Sequence, residues 1–150
     1  MKKITTVIFV ISMLIFVGSS DSFGQCKQTM VYDCATKTKA IYLRDFNAKL
    51  KKEEGAEDPG MKWSIVLNKG TRYRFNLCTP EGFDGKVVLT LYDATHPENE
   101  SKWTTLGKEN DTFDTVATRS GAYYVSIKIA DTEGSKKTCA VGILSFVGTN

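Results

Sequence analysis

Four cysteines, a single histidine and a scatter of aspartates are the side chains here whose types could do chemistry. Cys26, Cys34, Cys78 and Cys139 include no Cys-x-x-Cys pair, and His96 is the only imidazole, so a zinc site is poorly supplied. An even cysteine count reads instead as two disulfides, with three pairings open. His96 stands three residues after Asp93, but no serine or cysteine sits in an elbow where that pair could activate it. Asp84, Asp93, Asp111 and Asp114 are the carboxylates a glycoside hydrolase would draw on, and such pairs are defined by separation in space. The same aspartates are what Ca²⁺ would use. The stretch Asn110-Asp111-Thr112-Phe113-Asp114 lacks the glycine and the closing glutamate of an EF-hand loop. No cofactor and no catalysis are expected.

Aromatic side chains point more strongly to binding. Trp63, Tyr73, Tyr92, Trp103 and Tyr124 lie on or beside alternating segments, and a sheet face showing several of them could stack sugar rings. The same rings more often fill the core or straddle its edge, as most aromatics in small sandwiches do. Arg72 and Arg74 alternate on one segment and read as a solvated face. With 20 Lys+Arg against 17 Asp+Glu and no basic run longer than two, no nucleic-acid footprint is visible.

The elements that must position these residues begin after an address. Lys2 and Lys3, then the apolar stretch Ile4 to Val17, then Gly18-Ser19-Ser20-Asp21-Ser22, follow the three-part plan of a secretory signal. The apolar run is short for a membrane span. Residues 1–25 are expected to be removed, leaving 26–150 as one domain, with no transmembrane span after cleavage. A signal ending in glutamine is similar to those of Bacteroidetes-type bacteria. A lipobox would need Gly, Ala or Ser before Cys26, and Gln25 stands there.

Beyond the signal the chain is a run of short alternating segments. Phe46, Ala48 and Leu50 alternate with Asn47, Lys49 and Lys51, which reads as a half-buried strand. Residues 51–60 are charged and turn-rich. Trp63-Ile65-Leu67 and Tyr73-Phe75-Leu77 flank Asn68-Lys69-Gly70, which predicts a hairpin. Val87 to Tyr92 is apolar on both faces in part and reads as a central strand. A polar loop over 93–101 and strands over 103–106, 110–116, 122–129 and 139–147 complete about eight. That spacing indicates an all-β antiparallel sandwich or jelly roll with a short N-terminal segment. If residues 27–36 are helical, Cys26 and Cys34 are about 12 Å apart and must both reach the body. If they form a loop, Cys26–Cys34 with Cys78–Cys139 serves as well.

Three segments carry a resemblance: Leu67 to Phe75, Leu89-Thr90-Leu91-Tyr92-Asp93, and Ser120-Gly121-Ala122-Tyr123-Tyr124-Val125. Together they resemble the bacterial pre-peptidase C-terminal (PPC-like) domain over about 63–147, with Ala122 where that family usually has threonine. The stretch Cys139 to Val147 is similar to small exported Bacteroidales proteins without an assigned activity. The resemblance implies a jelly-roll accessory module, periplasmic or secreted, working with a protein or glycan at the cell envelope. A carbohydrate-binding module is the alternative, and a small secreted hydrolase the second. Asp114-Thr115-Val116 has the form of a Bacteroidetes O-glycan acceptor, with Thr115 expected outward and Val116 inward. Intact mass of envelope protein should show a chain starting at Gln25 or Cys26 and lacking four hydrogens. Four free thiols in that material would contradict it.

Overall fold

The computed structural model describes residues 26–105, 111–130 and 134–149, and of 96–105 and 111 the backbone alone. The expectations for residues 1–25 lie outside it. Helix α1 (Gln28–Thr36) is followed by eight strands: β1 (Ile41–Lys52), β2 (Met61–Leu67), β3 (Thr71–Cys78), β4 (Val87–Asp93), β5 (His96–Thr105), β6 (Asp111–Val116), β7 (Gly121–Ile129) and β8 (Lys136–Thr149). They form two antiparallel four-stranded sheets ordered β1-β8-β3-β6 and β2-β7-β4-β5. This is the eight-stranded double-sheet jelly roll.

Alternation places the core. Phe46, Ala48, Leu50, Phe75, Leu77, Ala140 and Leu144 from the first sheet face Ile65, Leu67, Val87, Leu89, Val125 and Ile127 from the second, all at 5 % exposure or less. Burying each large apolar side chain contributes about 1.5–3 kcal/mol. The strand reading of 46–51 holds, and β1 is longer than the apolar pattern alone, reaching back to Ile41. As expected, β4 is interior, between β7 and β5.

Two expectations are corrected. Strands β2 and β3 are not a hairpin: β2 pairs with β7 from Met61↔Ile127 to Leu67↔Gly121, whereas β3 pairs with β6 and β8. The Asn68–Gly70 turn carries the chain from one layer to the other. It is held by the neighbouring crossing, with Gly70 N–H donating to Ala117 O (2.9 Å) and Ala117 N–H to Thr71 O (3.1 Å). Gly70 takes φ 75°, which a Cβ disfavours. Alternation reports which side of a strand is buried, and β2 and β3 satisfy it from opposite layers.

Residues 96–101 are not a loop. They form the first half of β5, paired with β4 from Val87↔Thr105 to Asp93↔His96 across an Ala94-Thr95 turn. Asp93 closes that turn by accepting from Thr95 N–H (2.7 Å) and Thr95 Oγ1 (2.8 Å). Strand β5 is an edge, where ladder bonds on one side need no apolar alternation and Pro97 is tolerated.

Gly142 on β8 is tightly surrounded by core side chains. A Cβ there would meet Ile127 Cδ1 at 3.0 Å, Phe46 Cδ2 at 3.2 Å and Leu89 Cδ1 at 3.3 Å, one neighbour from each of three strands. Gly142→Val should therefore overpack the core and cost about 1–3 kcal/mol, with several degrees lost from Tm. Gly148→Ala on the same strand meets open space and should leave the calorimetric Tm unchanged.

Candidate functional site

Helix α1 turns the outer face of the first sheet into a site. Its N-terminus has no side-chain cap, and only Val31 and Cys34 along it are buried. At nine residues it is too short to persist alone. It rests on the outward side chains of β8, where Cys26, Val31, Cys34, Cys78, Val141 and Ile143 form a second buried cluster. Two covalent ties hold it: Cys26–Cys139 (Cα–Cα 5.5 Å) to β8 and Cys34–Cys78 (6.0 Å) to the end of β3. The helix keeps Cys26 and Cys34 apart, so both reach the body, as the helical alternative required.

A cleft of about 920 Å³ opens beside the helix. Its apolar lining includes Met30, Leu50, Phe83 and the Cys34–Cys78 bridge. Five lysines border it: Lys27 and Lys37 flanking α1, Lys49 and Lys51 from β1, and Lys137 from β8, against the acids Asp33 and Glu81. Lys51 stands directly opposite Lys137 in the β1–β8 ladder, and Lys49 opposite Cys139. Like charges facing each other across a ladder are unfavourable. Glu53 pairs with Lys51, and that hydrogen bond, then the Lys51 charge, holds its carboxyl below the usual range.

The sequence did not point to these lysines. They are single or paired along the chain, and the longest gap between them, from Lys51 to Lys137, is closed by one strand pairing. The only signal available was outward alternation of Lys49 and Lys51 on a segment whose inward residues are apolar.

The residues singled out from sequence are dispersed. Among the aromatics, Tyr73 is buried in the core, and its hydroxyl accepts from Asn68 N–H (3.0 Å). Trp63 packs against the core with its ring 5.5 Å from Phe46. These two therefore do not share a face with Tyr92 and Tyr124, whose rings lie 5.5 Å apart on the outer side of the second sheet. Lys62 Nζ sits over both rings, 4.8 and 4.1 Å from their centres. Trp103 occupies the ladder position opposite Leu89, and the side chains of Trp103, His96 and Asp111 lie outside the described residues.

Three of the four candidate aspartates are each engaged by a different cation. Asp84 accepts from Lys136 Nζ (2.8 Å), Asp114 forms a two-bonded pair with Arg74 (2.6 and 2.9 Å), and Asp93 forms a two-bonded pair with Arg119. Each carboxyl is held below its ordinary range chiefly by that partner's hydrogen bond. Arg74, expected on a solvated face, also donates to Thr38 O (2.9 Å). The expected facing of the Asp114-Thr115-Val116 tripeptide is reversed. Thr115 is half-buried opposite the core residue Tyr73, and Val116 is exposed opposite Arg72. The phase is set by Phe113, which stacks on Phe75 at 5.1 Å and turns Thr115, two residues on, inward with it.

Among the described residues no three His, Cys, Asp or Glu side chains group as metal ligands, and no helix is long and apolar enough to cross a membrane. No family model and no curated protein matches the chain.

The Asp93–Arg119 pair ties the β4–β5 turn to the crossing before β7, where Tyr123 O–H donates to Arg119 O (3.1 Å). A depressed folded-state carboxyl stabilises above its unfolded value, near pH 4, and that contribution is lost as pH falls toward the folded value. Urea unfolding of Asp93→Asn should accordingly show less acid sensitivity below about pH 4 than the parent, and lower stability than the parent at pH 7. Parallel curves for the two proteins would remove the latch.

Proposed function

We propose that this chain is an exported, non-catalytic binding module of the bacterial cell envelope, periplasmic or secreted, like the PPC-like accessory domains that its three segments resemble. The cleft beside α1 carries this reading. It is of ligand size, and lysines border a lining that includes Met30, Leu50 and Phe83. Two disulfides keep its helical wall in place, and such bonds persist in oxidising compartments. Asp84, Asp93 and Asp114 are each engaged by a cation that fixes a turn or a strand, a structural use of carboxylates.

A second reading rests on the Tyr92–Tyr124 pair. Two neighbouring rings on an open sheet face are what a sugar-binding module displays, and Lys62 would have to swing away to free them. With Trp63 and Tyr73 turned inward, that face is smaller than the sequence promised.

Native mass spectrometry of the full chain isolated from its host's envelope separates the two. The cleft reading expects a bound non-protein mass that disappears in Met30→Trp, a variant that fills the cleft, and persists in Tyr124→Ala. Loss in Tyr124→Ala alone would favour the sugar face. Identical unliganded masses throughout would reject both.

A further inference from the structure

We propose that the cleft takes an anionic amphiphile, a single hydrocarbon chain ending in a carboxylate or a phosphate. The inference rests on the binding-module reading and adds the ligand's chemistry. Its first support is charge asymmetry. The whole sequence carries a formal charge of only +3, yet five lysines and two acids border this one cleft. Among the described residues, Lys27, Lys37 and Lys137 are in no ion pair, whereas Arg74, Arg119 and Lys136 each hold an aspartate.

The second support is the ladder itself. Lys51 and Lys137 face each other, and the next ladder pair on that side adds Lys49. Glu53, paired with Lys51 and near the Lys137 charge, offsets part of this repulsion, and an anion seated between β1 and the helix would add to that relief.

The third is the lining. Met30 and Phe83 are half-buried and Leu50 and Cys34 fully so, which suits a hydrocarbon chain and gives a purely ionic ligand nothing. A nucleic acid would need its lysines along an open track. Lysine, unlike arginine, acts as a mobile point charge and does not demand the planar fork of one head group, so carboxylate and phosphate heads are both accommodated.

The test uses the disulfide-intact chain and isothermal titration below the micelle threshold. The probes are dodecanoate, dodecyl phosphate, dodecyltrimethylammonium, dodecyl maltoside and inorganic phosphate. At least one of the two anionic chains should bind best, and which of them does identifies the head group. Affinity should rise up to about fourfold per added methylene, while inorganic phosphate binds far more weakly. Lys137→Gln should weaken the anionic chains by up to about fivefold, leave dodecyl maltoside unchanged, and leave Tm close to the parent's, because the Lys51 repulsion and the Glu53 attraction are lost together. Equal binding of cationic and anionic chains, or phosphate as tight as dodecyl phosphate, would overturn the proposal. So would an unaltered affinity in Lys137→Gln. If no probe binds while a host-derived mass is still displaced by Met30→Trp, the ligand class is wrong and the binding-module reading stands. If neither is seen, both fall.

Discussion

The two disulfides that join α1 to β3 and β8 decide what the outer face of the first sheet can be. Val141 and Ile143 point away from the sandwich core and are nonetheless fully buried, because the helix lies over them. A helix of nine residues without an N-terminal cap buries too little to stay there by apolar contact alone. The ties span 113 and 44 residues of sequence, and closing loops of that size restricts the unfolded chain by an amount worth about 4 kcal/mol each. Without them the helix would be free to leave, β8 would present an apolar stripe to water, and the cleft would lose a wall.

The sandwich beneath is pinned in a different way. Its two layers meet through alternating side chains, with Gly142 at a crowded position, and its chain crossings are cross-linked by short polar contacts. The Asn68–Gly70 turn borrows its hydrogen bonds from the Ala117 crossing, and Asp93 reaches from the β4–β5 turn to Arg119. Asp58 does the same at the other end, accepting from Gly60 N–H (2.8 Å) and from Ile129 N–H at the end of β7. These contacts account for charged residues that resemble candidate chemistry when met along the chain. An aspartate whose carboxyl is held below its ordinary range by a paired lysine or arginine is a weaker base than a free one.

Five lysines gather in one place. The lysines around the cleft come from both ends of α1, from β1 and from β8, and Glu53 beside the like-charged Lys51–Lys137 position offsets part of its repulsion. The same cleft has apolar walls from Met30, Leu50 and Phe83, so charge and hydrocarbon surface meet at one place.

Sequence by itself determined which side of most strands is buried, that the chain is all-β, that it has about eight strands, and that a helical N-terminal segment would send both early cysteines to the body. Phe46, Ala48 and Leu50, or Tyr123, Val125 and Ile127, declare their burial through a period of two that any layer arrangement respects. Tertiary structure alone decided which layer each strand joins. That choice rests on ladder hydrogen bonds between backbones, which are nearly indifferent to side chains, so β2 and β3 could look like a hairpin and the first half of β5 like a loop. It also decided the inward facing of Thr115 through the stacking of Phe113 on Phe75, a contact between strands about forty residues apart. The same long-range pairing of β1 with β8 collected scattered lysines into one cleft, and no local pattern records that, because repulsion and attraction between charges depend on distance in space and not on separation along the chain.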